Sequence, residues 1–293
     1  MIDKSRSFSS YIGIIKPTKR ESVRIENAFK ERLIEKISGR KYSAVLLGKD
    51  DVVKVFLFRD LFNKKYLSLN NLGKRKYDID STISFTLTTL TTEEVDVSLE
   101  DVENAGKKGS NLTEKEKISK NMLDAVDSIR QKGQLDKRYL LELHRKIMAT
   151  FENKAPGRLR NRQVYLRRKG EHSQNEGVEV RYSPPNYKRI NKLLDSFLKW
   201  YNSSNLNPVE KAALAHYRLY MIHPFLDGNK RICRLIFNKI LIDEGLPLIN
   251  ISIEKEGYFD ALVASIEKGM PSVFVNFCLK QYYKQVREFL EHG

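Results

Sequence analysis

His216-Tyr-Arg-Leu-Tyr-Met-Ile-His223-Pro224-Phe225-Leu226-Asp227-Gly228-Asn229-Lys230-Arg231-Ile-Cys-Arg234 is the stretch from which the rest of the chain can be read. The apolar pattern of residues 208–222 predicts a helix. Pro224 cannot continue that helix, so the chain must turn there. Gly228 permits a tight bend, and an amphipathic pattern restarts at Asn229. A helix that begins there presents amides with no intrahelical acceptor and the positive end of its dipole, which suits an anion. Arg231 and Arg234, three apart, share a face and can aim at one bound anion. Asp227 sits at the mouth, where a carboxylate beside phosphates points to Mg²⁺. His223, just before the turn, is placed to act as a general base. A turn of Pro, Asp, Gly and Asn is also ordinary loop chemistry, and a single His before one is more often structural. The convergence of His, Asp, Asn and two Arg within twelve residues favours a polyphosphate cradle with a base beside it.

Composition sets the frame around that cradle. At 293 residues and 41% hydrophobic, the chain can bury a sizeable core, read as one main domain plus an extension. No apolar run reaches the length of a membrane span, and the Met-Ile-Asp-Lys-Ser start has no apolar signal region. The 2 cysteines, Cys233 and Cys278, have neither metal nor disulfide-framework spacing, which makes a reducing cytoplasm the simplest home. The net charge of +16 suggests acidic partners: a nucleotide, a nucleic acid or an acidic protein. Charge does not choose among them.

Residues 1–108 read as a mixed α/β extension. Residues 19–37 form an amphipathic helical pattern, with Val23, Ile25, Phe29, Leu33, Ile34 and Ile37 mostly on one side. Residues 42–47 and 52–58 are β-branched and aromatic runs flanking Gly48-Lys-Asp-Asp, which suggests a hairpin. Residues 83–90 alternate Thr with apolar side chains and favour a strand. Ala105-Gly-Lys-Lys-Gly-Ser110 reads as a linker, so the boundary falls between 1–108 and 109–293. Beyond it the pattern is helical. Thr113-Glu-Lys-Glu116 is a capping box opening a helix whose buried stripe is Ile118, Met122, Ala125, Val126 and Ile129. Asp136 caps a second helix carrying Leu140, Leu143, His144 and Ile147. Residues 158–165 and 178–182 flank a Gly- and Glu-rich loop and suggest an irregular β-hairpin. Residues 186–201 are helical, and two further helices over about 255–268 and 271–290 finish the chain. His144 and His216 lie on apolar faces and read as core residues.

His223 to Arg234 resembles the signature of the Fic family, His-Pro-Phe-x-Asp/Glu-Gly-Asn-Gly-Arg-x-x-Arg. It departs at one defined position, where Lys230 replaces the second Gly. Pro156-Gly157-Arg-Leu-Arg160 with Val164-Tyr165 is similar to the family's first flap strand, Tyr182-Ser-Pro-Pro185 to the flap's exit, and Tyr258-Phe-Asp-Ala-Leu262 to a later helix. The resemblance covers about residues 113–285 and implies a mainly α fold: a Fic-type helical core with a β-hairpin flap. It implies transfer of AMP from ATP to a Tyr, Thr or Ser hydroxyl of a target protein. His223 would be the base, Asp227 the Mg²⁺ ligand, and Gly228, Asn229, Lys230, Arg231 and Arg234 the nucleotide cradle. The flap residues Val164, Tyr165, Val180 and Tyr182 would align the target by β-augmentation.

Lys230 adds bulk and charge where the signature has Gly, and related Doc toxins share Ala-Asn-Lys-Arg there and phosphorylate their targets. Gly228 and Arg234 lean towards AMP transfer. The rivals are a Doc-like kinase and a non-catalytic nucleotide- or nucleic-acid-binding module. The run Arg158, Arg160, Arg162, Arg167, Arg168 and Lys169 lacks an aromatic stacking series, so nucleic acid is disfavoured and a basic rim preferred. A homo-oligomer is left open. The family's regulatory pattern, Ser/Thr-x-x-x-Glu-Gly/Asn, places a Glu on the second signature Arg. Residues 81–95 resemble that segment but carry Thr86 or Thr88 where the Glu is expected. Ser22-Val-Arg-Ile-Glu26-Asn27 matches literally, making Glu26 the inhibitory candidate, with loss of the inhibitory Glu as the alternative. Ser252-Ile-Glu-Lys-Glu256-Gly257 matches too, but Ser252 there reads better as a helix N-cap.

Overall fold

The computed structural model describes residues 47–164, 166–167 and 180–292. Among them ten α-helices follow one another: α1 (Lys49–Ser68), α2 (Asn71–Thr92), α3 (Leu99–Lys107), α4 (Glu114–Arg130), α5 (Lys137–Ile147), α6 (Ile190–Ser203), α7 (Pro208–Ile222), α8 (Asn229–Asp243), α9 (Lys255–Lys268) and α10 (Pro271–His292). Between α5 and α6, two short segments, β1 (Leu166–Arg167) and β2 (Val180–Tyr182), pair antiparallel, with Leu166 opposite Tyr182 and Arg167 opposite Val180. The chain is mainly helical.

The centre is the α7–α8 pair. Asn207 caps α7 by accepting the Val209 N–H at 3.0 Å, and Pro208 sits in the first turn, where its missing donor costs nothing. Ala212, Ala213 and Ala215 are fully buried; side chains this small leave room for neighbours to pack close around α7. On α8, Ile232, Leu235, Ile236, Phe237 and Ile240 are buried in the same cluster. Helices α4, α5 and α2 pack against α8, while α6 and α10 flank α7. The expected capping box of α4 is present: Thr113 Oγ1 accepts the Glu116 N–H at 3.2 Å, and Glu116 accepts the Thr113 N–H at 2.9 Å. Its predicted stripe from Ile118 to Ile129 is buried.

The N-terminal extension departs from expectation. Where it is described it is helical, not mixed α/β: residues 52–58 lie within α1, and residues 83–90 within α2. Gly48, read as part of a hairpin turn, is the N-cap of α1. The Thr-rich run misleads because alternation and helical spacing coexist in it. Its buried members are Thr82, Phe85, Thr86, Thr89, Leu90 and Thr92, which recur at threes and fours along one helix face. Two hydroxyls bond back into the helix, Thr82 to the Asp78 carbonyl (2.6 Å) and Thr91 to that of Leu87 (2.9 Å), so Thr is accommodated there. Helices α1 and α2 share the main core through Val55, Phe62, Phe85 and Leu90. Residues 105–107 complete α3 rather than open a linker. Residues 158–164 are not strand, and 186–189 precede α6 as a short 3₁₀ turn rather than as α-helix. The pattern at 19–37, Tyr165, and residues 42–46 and 178–179 lie outside the described residues.

Candidate active site

Helix α7 ends at His223, whose backbone is left-handed (φ 50°, ψ 62°) and whose N–H donates to the Leu219 carbonyl at 2.9 Å. That conformation costs a residue with a β-carbon roughly 1–2 kcal/mol. Pro224 and Phe225 follow, and the buried Asn229 staples the turn: its Oδ1 accepts the Phe225 N–H and its Nδ2 donates to the Phe225 carbonyl, both at 2.9 Å. The carboxamide expected to grip phosphate is therefore largely spent on holding the loop. Phe225 is buried and lies flat on the His144 ring, 3.7 Å between centroids. Gly228, at φ 74°, opens α8. A β-carbon there would come within 2.8 Å of Met148 Sδ, so both backbone and packing require glycine. The first intrahelical bond of α8 is from the Ile232 N–H to the Gly228 carbonyl, which leaves the amides of Asn229, Lys230 and Arg231 facing the turn without helical acceptors.

Three cations gather at this terminus. Arg231 is buried, with one Nη 3.5 Å from Asp227 Oδ1, and its Nε and Nη1 have no hydrogen-bond partner among the described residues. A buried guanidinium with idle donors is costly unless an anion completes it. Arg234, fully buried, donates from Nη2 to Glu93 Oε1 (2.8 Å) and to the Thr89 carbonyl (3.0 Å). Lys230 Nζ lies 2.9 Å from the other Glu93 oxygen and 4.7 Å from the Phe259 ring centre. Burial works to raise the Glu93 carboxyl, but Arg234 and then Lys230 outweigh it and hold it below its ordinary value. Glu93 thus sits ionised across the far end of the cradle.

His223 keeps 7% of its surface exposed. Its Nδ1 faces the Tyr220 carbonyl at 3.4 Å, an acceptor, so Nδ1 carries the proton and Nε2 keeps its lone pair. Burial, then the charge of Arg160, push its pKa down to about 4. His144 is also pushed down to about 4, by burial above all. It accepts the Gly157 N–H at Nδ1 (2.9 Å) and donates from Nε2 to the Asp227 carbonyl (3.0 Å), tying the cradle to the loop after α5. Below the ordinary histidine pKa of 6.5 an unfolded chain would protonate both rings, whereas the folded chain resists down to about 4. Stability should therefore fall as pH drops from 6.5 towards 4, with Glu93 adding to the loss in the same direction. Thermal melts across that range check this; a flat midpoint would contradict it.

Asp227 accepts the Gly228 N–H at 2.6 Å and is half exposed, with Lys154 3.8 Å away. Among the described residues no three His, Cys, Asp or Glu side chains gather as a metal cluster. The sequence-predicted His223, Asp227, Gly228, Asn229, Lys230, Arg231 and Arg234 stand together in one turn and the first turns of α8. Val164 is half-buried coil, not strand; Val180 and Tyr182 lie on β2; Tyr165 and Glu26 fall outside the described residues. Sequence reading missed Glu93, although Thr89-x-x-x-Glu93 has the regulatory spacing, with Glu94 where Gly or Asn is expected. Arg160, read as part of a basic rim, is instead buried. His216, read as core, is buried and bonded to the Tyr258 hydroxyl at 3.0 Å.

A helical fold whose central turn presents open amides, a neutral imidazole and buried guanidinium groups has the chemistry to receive an anion. Residues 134–241 match the model of the Fic/DOC family. The chain is 27% identical over 154 residues to protein adenylyltransferase fic-1 of Caenorhabditis elegans, covering 52% of this chain and 28% of that protein. It is 35% identical over 153 residues to protein adenylyltransferase Fic of Drosophila erecta, covering 51% and 28%. The matched part thus spans little more than a quarter of those relatives' length. The crystal structure of a Fic family protein from Desulfovibrio desulfuricans superposes with a TM-score of 0.68 over 84% of this chain and 75% of that one. At 22% identity this is a likeness of fold.

Proposed function

We propose that the chain is a protein adenylyltransferase that moves AMP from ATP to a Tyr, Thr or Ser hydroxyl of a target protein. The observation that carries this is Arg231, a buried guanidinium with two idle nitrogens beside the amides that open α8, in the same turn-and-helix unit as a neutral His223. His223 Nε2 takes the hydroxyl proton; the hydroxyl oxygen bonds to the α-phosphorus; the bond from that phosphorus to the bridging oxygen breaks; pyrophosphate leaves. Arg231 stabilises charge on the departing β-phosphate, and Arg234 binds the γ-phosphate once Glu93 releases it. No covalent enzyme intermediate is needed, because positioning and charge neutralisation supply the rate.

Mg²⁺ fits the donor set only as a shared ion: Asp227 gives one half-exposed carboxylate, and Mg²⁺ is commonly bound by one or two carboxylates plus substrate phosphates. When bound it would neutralise phosphate charge. The antiparallel pairing of β1 with β2 supports a flap that aligns the target segment by strand addition, with Val180 and Tyr182 on β2 and Val164 in the coil before β1. The division at 108/109 separates a regulatory part, which supplies Glu93, from the catalytic part. Glu26 keeps its literal match as a second inhibitory candidate. None of the described helices is long and apolar enough to cross a membrane. The two cysteines, which lack disulfide-framework spacing, are our ground for placing the protein in the cytoplasm.

A Doc-like kinase remains the second reading because Lys230 is shared with that group. Incubating the Glu93→Gly protein and a cell extract with ATP labelled on either the α- or the γ-phosphate decides. Label from α alone, lost in His223→Ala, is the expected result. Label from γ alone would make the protein a kinase; no His223-dependent label would leave a binding module.

A further inference from the structure

The strained backbone of His223 is held by one side chain from outside the signature. Arg160 is 3% exposed, in the coil that leads to β1. Its own N–H donates to the Pro224 carbonyl at 2.9 Å. Its Nε donates to the His223 carbonyl at 2.8 Å, Nη1 to the Arg162 carbonyl at 3.1 Å, and Nη2 to the Pro185 carbonyl. The His223 carbonyl ends α7 and so has no acceptor role inside the helix. Arg160 fills that need while gripping both legs of the β1–β2 excursion, one at residue 162 and the other at 185. Gln163 adds a neighbouring tie, donating to the Pro184 carbonyl at 2.7 Å.

We propose that Arg160 is a positioning residue: its planar fork fixes His223 in the left-handed conformation that aims the imidazole, and couples that aim to the position of the β1–β2 legs. This rests on the adenylyltransferase reading for its effect on turnover, but not for its effect on the imidazole. A planar guanidinium can serve three carbonyls in different directions; an ammonium of equal charge cannot hold the same fork. The Asn229 staple and Arg231 do not touch Arg160's four acceptors, so nucleotide binding is expected to stand apart from it.

The test compares Arg160→Lys and Gln163→Ala, each in the full chain carrying Glu93→Gly. Arg160→Lys keeps the charge and loses the fork. It should shift the His223 imidazole NMR resonance and lower label incorporation at saturating ATP by ~100-fold, the scale of a small misplacement of a reacting group, with the ATP Kd unchanged. Gln163→Ala touches only a partly buried surface tie and is expected to fold. Through the leg that Arg160 shares, it should shift the same resonance in the same direction by a smaller amount. If Arg160→Lys yields no folded protein, the Gln163→Ala spectrum decides. An imidazole resonance unmoved in every variant that folds overturns the proposal, as does an ATP Kd that weakens in step with turnover. Should the Glu93→Gly parent show no His223-dependent label, the function reading fails while the resonance still judges Arg160.

Discussion

Replacing Glu93 with glycine should raise His223-dependent labelling by ~10-fold or more, the factor that about 1.4 kcal/mol represents. The two oxygens of Glu93 are divided between Arg234 at 2.8 Å and Lys230 at 2.9 Å. While they stay so, the guanidinium proposed to hold the terminal phosphate already has its anion. A triphosphate must displace a carboxylate whose side chain is only 13% exposed and which is held ionised by the same two cations. Near neutral pH the pair is therefore not weakened by protonation. Its competition with ATP acts on binding, so the gain should appear first in the ATP Kd and then in the rate. A second readout needs no turnover: Glu93→Gly leaves a buried cation without its partner and should melt lower, and ATP with Mg²⁺ should restore more of the midpoint than it adds to the unaltered protein. Lys230→Gly removes one arm and leaves Arg234 engaged. It should activate too, but less than Glu93→Gly. Labelling and ATP Kd unchanged by Glu93→Gly would end the idea that this carboxylate guards the cradle.

The uneven legibility of this chain follows from how far each interaction reaches. The α7–turn–α8 unit was readable because its determinants are local: a proline that stops one helix, a glycine that opens the next, and arginines three apart. The capping box of α4 is just as local. Helix α2 was misread because a run of Thr alternating with apolar residues satisfies two periods at once, and only packing against α4 and α8 selects the helical one. Glu93 was missed with it, since a carboxylate at the end of a supposed strand has no reason to face Arg234, 141 residues away. Arg160 and His144 were invisible as ties for a different reason. Their partners are backbone carbonyls and amides, including those of His223 and Asp227, 63 and 83 residues along the chain, and backbone groups leave no mark on a sequence.

Replacing His223 with alanine should cut turnover by ~10²–10⁴-fold, the usual worth of a placed general base, while ATP affinity in the Glu93→Gly background stays as it was. Affinity should hold because the phosphate contacts assigned above come from Arg231, Arg234 and the α8 amides, none of which needs the imidazole. The pH dependence separates this base from an ordinary histidine. An unperturbed imidazole near 6.5 would lose half its base form there and drag the rate down with it. In this protein burial and the neighbouring Arg160 push the ring down to about 4, so turnover should stay level from neutral pH through 6 and fall only in the acid range where the fold itself weakens. The same burial makes the base weaker as a proton acceptor, which a Brønsted relation charges against the rate. That loss is tolerable when the incoming hydroxyl is already aligned and the leaving pyrophosphate is charge-stabilised by Arg231. A rate profile of the Glu93→Gly protein that breaks near pH 6.5 would mean that the imidazole opens to water before it reacts. An alanine variant with undiminished turnover would mean that the hydroxyl proton leaves by another route.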